Sequence, residues 1–244
     1  MTISCSSFSD CGLVRKENQD SVLCDAERRL YAVADGMGGG SEGARASAIV
    51  CSHLSSIPAD ADFAVRVVAV GEAVAAANRE IFSYSKSKGF KQMGTTVALV
   101  MFGDGETDRA SICHVGDSRV YRLRDGELDV LTRDHSVGAE LALALGGMRS
   151  GVPYADKRNP LSHMLTRAVG TERSVACEWS RIDIKVGDRF LVCSDGVHGV
   201  LSDDETRRLL ARGDSAAATK ALAEAVHANG APDNYSVLVV TVER

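Results

Sequence analysis

Aromatic side chains make up only 5% of this chain, so Val, Leu, Ile and Ala must supply most of any core. Prolines number four in 244 residues. No repeat, low-complexity tract or linker composition interrupts the sequence, which predicts one domain over 1–244. No run approaches the roughly eighteen apolar residues of a membrane span. The best candidate stretch, 63–82, carries Arg66, Glu72, Arg79 and Glu80 and reads as a soluble amphipathic helix. The first seven residues lack the basic start and apolar run of a secretory leader. Lys/Arg clusters are also missing, and the net charge is −5. Nucleic acid and anionic membrane are therefore excluded as main partners, since both demand basic patches. The seven cysteines (5, 11, 24, 51, 113, 177, 193) are odd in number and never spaced CxxC. That excludes a disulfide framework and a zinc knuckle, and predicts reduced thiols in a cytoplasmic protein. No histidine pair or cysteine set is placed to suit zinc.

The patterning present is mixed. Short apolar, β-branched runs at 30–34, 95–102, 109–115, 118–124, 127–131, 181–184, 188–194 and 235–242 predict strands. Gly103-Asp104-Gly105 and Asp125-Gly126 fall between such runs and predict hairpins. Helices are expected at 42–54, from Asp60 or Asp62 to about 84, at 137–145, from the Ser202/Glu205 capping box to about 211, and at 215–229, stopped by Gly230 and Pro232. Strands and helices come in blocks, which argues for an α+β fold over a doubly wound parallel sheet. The segment 134–165 holds Gly146-Gly147, Gly151, Pro153 and Pro160 and is expected to be a helix followed by a mobile loop.

Acidic residues recur where an apolar run meets a glycine: Asp35-Gly36, Gly116-Asp117 and Asp195-Gly196, with Asp20 opening an early strand and Asp233 preceding the last. Any one Asp-Gly pair is ordinary turn chemistry. The joint pattern is not: Arg15-x-x-Asn18-Gln19-Asp20, Asp35-Gly36-Met37-Gly38-Gly39, Gly116-Asp117-Ser118-Arg119, Ser194-Asp195-Gly196 and Asp233-Asn234 follow one another in that order. Carboxylates gathered at one spot repel and take up protons unless cations intervene. An all-oxygen donor set selects hard divalent ions such as Mg²⁺ or Mn²⁺.

Together these motifs resemble the PP2C (PPM) family of metal-dependent protein serine/threonine phosphatases, most closely its compact bacterial members, over about 12–242. The resemblance implies a four-layer α-β-β-α sandwich of two antiparallel sheets flanked by helices, with the site at one end between the sheets. It implies two core Mn²⁺ or Mg²⁺ ions held by Asp35, the Gly36 carbonyl, Asp195 and Asp233, and a weaker third ion held by Asp117 with Asp195. Water shared by the core ions would be the nucleophile. Arg15 would grip the phosphate, Asp20 and Asn234 would support the site from behind, and 134–165 would be a flap that selects substrate. Met37 stands where animal members often carry a histidine, a candidate general acid. A thioether has no proton to give, so that role passes to water at the third ion.

The expected function is hydrolysis of phosphoserine and phosphothreonine in proteins, opposing bacterial Ser/Thr kinases, by a cytoplasmic monomer with no tail or anchor after Val242. Two alternatives stay open: a phosphoprotein-binding pseudophosphatase, and a hydrolase of small phosphomonoesters.

Overall fold

The computed structural model describes residues 1–39, 41–90, 92–104, 108–144, 161 and 164–244. Two antiparallel sheets lie face to face. The first runs β1 (Thr2–Asp10), β11 (Tyr235–Glu243), β10 (Arg189–Cys193), β7 (Arg119–Arg124), β8 (Glu127–Val130). The second runs β2 (Asp20–Asp25), β3 (Leu30–Met37), β5 (Val97–Phe102), β6 (Arg109–Val115), β9 (Glu178–Asp183), with the short β4 (Gly94–Thr95) also paired to β3. The two expected hairpins form at β5–β6 and β7–β8. Asp125 and Gly126 both adopt positive φ in the β7–β8 turn, as a primed hairpin turn requires.

Strands buried on both faces read as unbroken apolar runs, and β5 shows how each face is used. Val97, Leu99 and Met101 point towards α1 (Ser41–Ser55) and α2 (Phe63–Lys88), while Ala98, Val100 and Phe102 point into the layer between the sheets. The same alternation splits β10 and β11. Leu191, Cys193, Val237 and Val239 face the helices α4 (Asp195–His198), α5 (Asp203–Leu210) and α6 (Ser215–Ala228), whereas Phe190, Val192, Leu238 and Val240 face the other sheet. Three apolar layers between four structural layers are the α-β-β-α sandwich that the resemblance implies. Among the described residues no helix is long and apolar enough to cross a membrane.

The helices follow their sequence signals closely. In α2 the residues Val70, Val74, Ala77 and Ile81 keep three- and four-residue spacing against the sheet. Gly89, at φ 73°, ends the helix with its N–H on the Lys86 carbonyl, four residues beyond the expected stop. Asp62 takes the N-cap position without making a side-chain cap bond. The capping box of α5 is complete. Two features were not foreseen: β1, which completes an edge of the first sheet by pairing along all of β11, and α4, which turns the Asp195-Gly196 junction into a helical start. The expected helix at 137–145 is present as α3 (Val137–Ala144), and its last expected position lies outside the described residues. The rest of the expected mobile loop, 145–160 with 162 and 163, lies outside the described residues.

The expectation of seven reduced cysteines is corrected at one pair. Cys5 on β1 and Cys24 on β2 are joined as a disulfide across the edges of the two sheets. Packing of one sheet edge against the other brings together residues 19 apart in sequence, which spacing alone does not reveal. Cys113 and Cys193 are buried thiols as expected.

Leu99 is wholly buried between β5 and the α1–α2 layer. Leu99→Ala is expected to lower the unfolding free energy by about 2–5 kcal/mol. Removing the α5 cap with Ser202→Ala should cost about 1 kcal/mol. Urea titrations of the three proteins read both values.

Candidate metal and phosphate site

The ends of β2, β3 and β11, the β6–β7 turn and the start of α4 open onto one cleft of about 570 Å³. Its lining includes Arg15, Asp35, Gly36, Asp117, Asp195, Asp233 and Asn234. These predicted residues come from segments more than two hundred positions apart, and the fold brings them together. Asp20 lies behind them, buried, and is not part of the lining.

Pairing of β2 with β3 sets Asp20 directly opposite Asp35, a like-charge juxtaposition that opposes the ladder. The Asp20 Oδ2 accepts hydrogen bonds from the hydroxyls of Ser194 and Ser236, both at 2.7 Å. Ser236 lies on β11 and Ser194 directly follows β10, so Asp20 ties the two sheets together at the site. Its Oδ1 is buried without a hydrogen-bond partner. Burial, opposed by the two serine bonds and reinforced by Asp195 and Asp233, pushes the Asp20 carboxyl up to about 6. Asp35 is raised well above the usual carboxylate range by burial first, then by Asp20, Asp195, Asp117 and Asp233. Its backbone is pinned on both sides: its N–H donates to Thr96 Oγ1 at 3.0 Å, and its carbonyl accepts from Thr96 N–H at 2.8 Å and Thr95 Oγ1 at 2.9 Å. Asp117 is likewise raised, by burial and then by Asp195 and Asp134.

Arg15 is exposed and donates from Nη2 to Asp233 Oδ2 at 2.7 Å. The expected phosphate ligand and an expected metal ligand thus engage each other directly. Asp233 Oδ1 accepts from the Asn234 N–H at 2.8 Å. Asn234 staples the segment that carries Arg15: its Oδ1 accepts from Gln19 N–H at 2.9 Å, and its Nδ2 donates to the Cys11 and Glu17 carbonyls, each at 2.9 Å.

Two glycines are dictated by close approach. A Cβ on Gly36 would lie 2.0 Å from the Gly43 carbonyl oxygen, and one on Gly43 would lie 2.8 Å from the Gly36 carbonyl oxygen. Glycine at 43 therefore leaves the Gly36 carbonyl uncrowded by α1. A Cβ on Gly196 would lie 2.0 Å from the Asn234 carbonyl oxygen, so α4 can start against β11 only with glycine there.

Several supporting groups had no sequence signal. Thr96 and Ser236 act through contacts that no local motif specifies. His198 donates from Nε2 to the Asp117 carbonyl at 3.0 Å and so links α4 to the β6–β7 turn. Ser118 and Arg119 are structural, as expected: Ser118 Oγ meets Thr96 Oγ1 at 2.7 Å, and Arg119 forks onto Asp134 at 2.8 and 2.7 Å.

The expectation that no histidine pair is placed to suit zinc meets one cluster of side chains. Among the described residues, one group of three His, Cys, Asp or Glu side chains has donor atoms all within 4.8 Å of one another, and it is His114, His135 and Glu178. The aspartates stand around their cleft more openly, one oxygen of Asp20 held by serines and one of Asp233 by Arg15. The histidine group is a poor cage. The two rings stack at 4.6 Å with 13° between their planes, so their nitrogens point side by side and do not converge. His135 Nδ1 accepts from the Gly116 N–H at 3.0 Å, and His114 Nε2 donates to the Arg133 carbonyl at 2.7 Å. Burial above all lowers the His135 imidazole to about 4, which keeps it neutral.

For hard divalent cations, the aspartate cleft fits: oxygen donors, carboxyls that hold their protons more tightly than ordinary ones for want of a counter-charge, and a Gly36 carbonyl that glycine at 43 leaves uncrowded.

Comparison with known proteins agrees. Residues 14–233 match the family described as protein phosphatase 2C. The chain belongs to that family. It is 34% identical over 235 residues to the serine/threonine protein phosphatase PstP of Mycobacterium tuberculosis, covering 96% of this chain and 44% of the relative. The chain therefore spans under half the length of that relative. PppA, described as a key regulatory component of T6SS in Pseudomonas aeruginosa, superposes with a TM-score of 0.89 at 33% identity, over 99% of this chain and 98% of the other. The catalytic domain of PstP in complex with two manganese ions superposes with a TM-score of 0.86 at 32% identity, over 99% of each chain. This PP2C-family chain thus shares fold and most of its length with a manganese-binding phosphatase domain.

The Asp20 shift has a consequence for stability. A carboxyl raised from 3.8 to about 6 in the fold favours folding below about pH 4, and that contribution is lost as pH rises through about 6. With chelator present, this group should cost on the order of 2–3 kcal/mol between pH 4 and 7. Added Mn²⁺ is expected to raise the melting temperature more at about pH 7.5 than at about pH 4.5. Equal shifts at both pH values in thermal scans would contradict the linkage.

Proposed function

We propose that this PP2C-family chain is a metal-dependent protein serine/threonine phosphatase, with residues 1–244 as one catalytic unit and 134–165 as its substrate-facing flap. The observation that supports this most is the sharing of one cleft by Arg15, Asp35, Asp117, Asp195 and Asp233. Asp35, Asp195, Asp233 and the Gly36 carbonyl would hold two core Mn²⁺ or Mg²⁺ ions, and Asp117 with Asp195 a weaker third. Such ions, when bound, acidify water for attack on phosphorus and neutralise phosphoryl charge.

The chain's own groups do the rest. Arg15 swings its planar guanidinium between Asp233 and the phosphate, and two parallel N–H bonds orient the phosphoryl group. Thr95 and Thr96 fix the Asp35 backbone so that its carboxylate need not reorganise during the reaction. Asp20 holds the two sheets in register beneath Asp35, and Asn234 keeps the Arg15 segment against β11. No histidine lines the cleft among the described residues, and Met37, which does, cannot donate a proton. The leaving serine or threonine oxygen therefore takes its proton from solvent in the cleft. The substrates are phosphoproteins made by Ser/Thr kinases.

Purified protein is expected to release phosphate from phosphothreonine peptides with Mn²⁺ and to stop when chelated. Arg15→Lys, which keeps the charge and loses the fork, should lower kcat/KM by about 10- to 100-fold. Asp35→Asn should lower kcat by at least about 100-fold. Asp117→Asn should slow a phosphoserine peptide more than an activated aryl phosphate. Phosphopeptide binding without turnover at saturating Mn²⁺ would instead favour a binding module.

A further inference from the structure

The cleft is lined as well by Phe82, Ser85 and Lys86 in the last turns of α2, and by Phe90 just past the helix. At about 570 Å³ it matches a site for a drug-sized ligand, more than a phosphoryl group alone requires. Two lysines, Lys86 and Lys88, end α2, where a cation complements the negative end of the helix dipole. Of these only Lys86 lines the cleft. Its ammonium lies 5.2 Å from the Phe82 ring centroid, and among the described residues it has no ion-pair partner. Phe82 and Phe90 are half-buried, and Phe90 is backed by the Tyr84 ring, 6.0 Å away between centroids. Gly89 closes the helix, and Ser85 Oγ donates to the Phe90 carbonyl at 3.3 Å, which fixes the reversal that presents Phe90. Aspartates dominate the rest of the cleft, so it repels acidic substrates wherever no cation stands.

We propose that this part of the cleft is a subsite for the substrate chain flanking the phosphorylated residue, and that Lys86 selects an anionic group there. The anion is either an Asp or Glu carboxylate or a second phosphate, since an ammonium is a point charge that takes both. Phe82 and Phe90 pack against the apolar parts of the same segment. The subsite rests on the phosphatase reading given above. An exposed pair of this kind is worth a few-fold in affinity and weakens with salt.

Three phosphothreonine peptides that differ only in flanking residues (alanine, aspartate, or a second phosphothreonine) test it, with the wild type, Lys86→Ala and Lys86→Glu. The wild type should prefer the anionic peptides by about threefold or more in kcat/KM, expressed in KM. Lys86→Ala should erase that preference, Lys86→Glu should reverse it, and added salt should shrink it. A gain confined to the aspartate peptide assigns a carboxylate, and one confined to the doubly phosphorylated peptide assigns a phosphate; either supports the subsite. Equal kcat/KM for all three peptides in the wild type, or a preference that survives Lys86→Glu, overturns it. An aryl phosphate run alongside separates the two failures. Turnover of aryl phosphate and neutral peptide without a Lys86-dependent preference removes the subsite alone, while no turnover of any substrate removes the phosphatase reading.

Discussion

Mutual repulsion among aspartates at one end of the sandwich is the constraint that the rest of the structure answers. Charge taken out of water is costly unless it is paired or hydrogen-bonded. Here the pairing is partial by construction. Asp20 receives two serine hydroxyls on one oxygen and nothing on the other. Asp233 receives Arg15. Asp35 and Asp117 receive no comparable relief and hold their protons well above the ordinary range. A fold that carries such an uncompensated cluster stores an affinity for cations, because any ion that settles there stabilises the native state by mass action. Stability and cofactor affinity are then two readings of one electrostatic quantity.

Holding repelling groups in place demands a stiff frame, and the sandwich supplies one. Both sheets are antiparallel throughout, with Asp20 and Asp35 fixed by the β2–β3 register and Ser194 and Ser236 fixed by the first sheet. The tie from Asp20 to those serines crosses from one sheet to the other, so separation of the sheets would strip a buried carboxyl of both serine hydrogen bonds. Glycines then set how closely backbones approach. At Gly196 the chain passes so near the Asn234 carbonyl that any side chain would collide with main-chain atoms. Asp195 is in this way held beside Asp233 by backbone contact.

How much of this was legible in the sequence follows the range of the interactions involved. Strands with two buried faces, the Ser202 capping box and the Asp125-Gly126 hairpin are local signals, and their elements appear within a few residues of the expected positions. The aspartates were readable as a set because Asp35, Asp117 and Asp195 sit at strand–glycine junctions while Asp20 and Asp233 stand at strand starts, and five motifs in order are far more specific than one. What sequence could not give were pairings made only in three dimensions. β1 has no alternation to mark it and exists through its register with β11. Cys5 and Cys24, Thr96 under Asp35, and Ser236 under Asp20 meet across elements whose adjacency no local rule supplies. Arg15 lines the cleft with the aspartates, yet its engagement with Asp233 was not anticipated. Phosphate affinity argues for a guanidinium near carboxylates without saying which one holds it.

The stacked histidines show why residue type alone misleads. His114, His135 and Glu178 satisfy a distance criterion for a metal cage, but each contact made by His135 points to another task. Its ring nitrogen and its backbone N–H grip both polar groups of Gly116, at 3.0 and 2.9 Å, immediately before Asp117. The preceding residue, Asp134, forks with Arg119 just after it. Two successive residues thus clamp the Asp117 turn from either side. The same stretch opens the segment from 134 onward, closed at its base where Ser136 bridges to Leu165 and Thr166 N–H bonds the His135 carbonyl at 2.9 Å. A charged imidazole would place a cation against Arg167, whose Nη1 lies 3.2 Å from His135 Nε2, and burial opposes it further. Neutrality is therefore what the clamp requires: His135 must accept from Gly116 through Nδ1, and only the uncharged ring has a lone pair to do so.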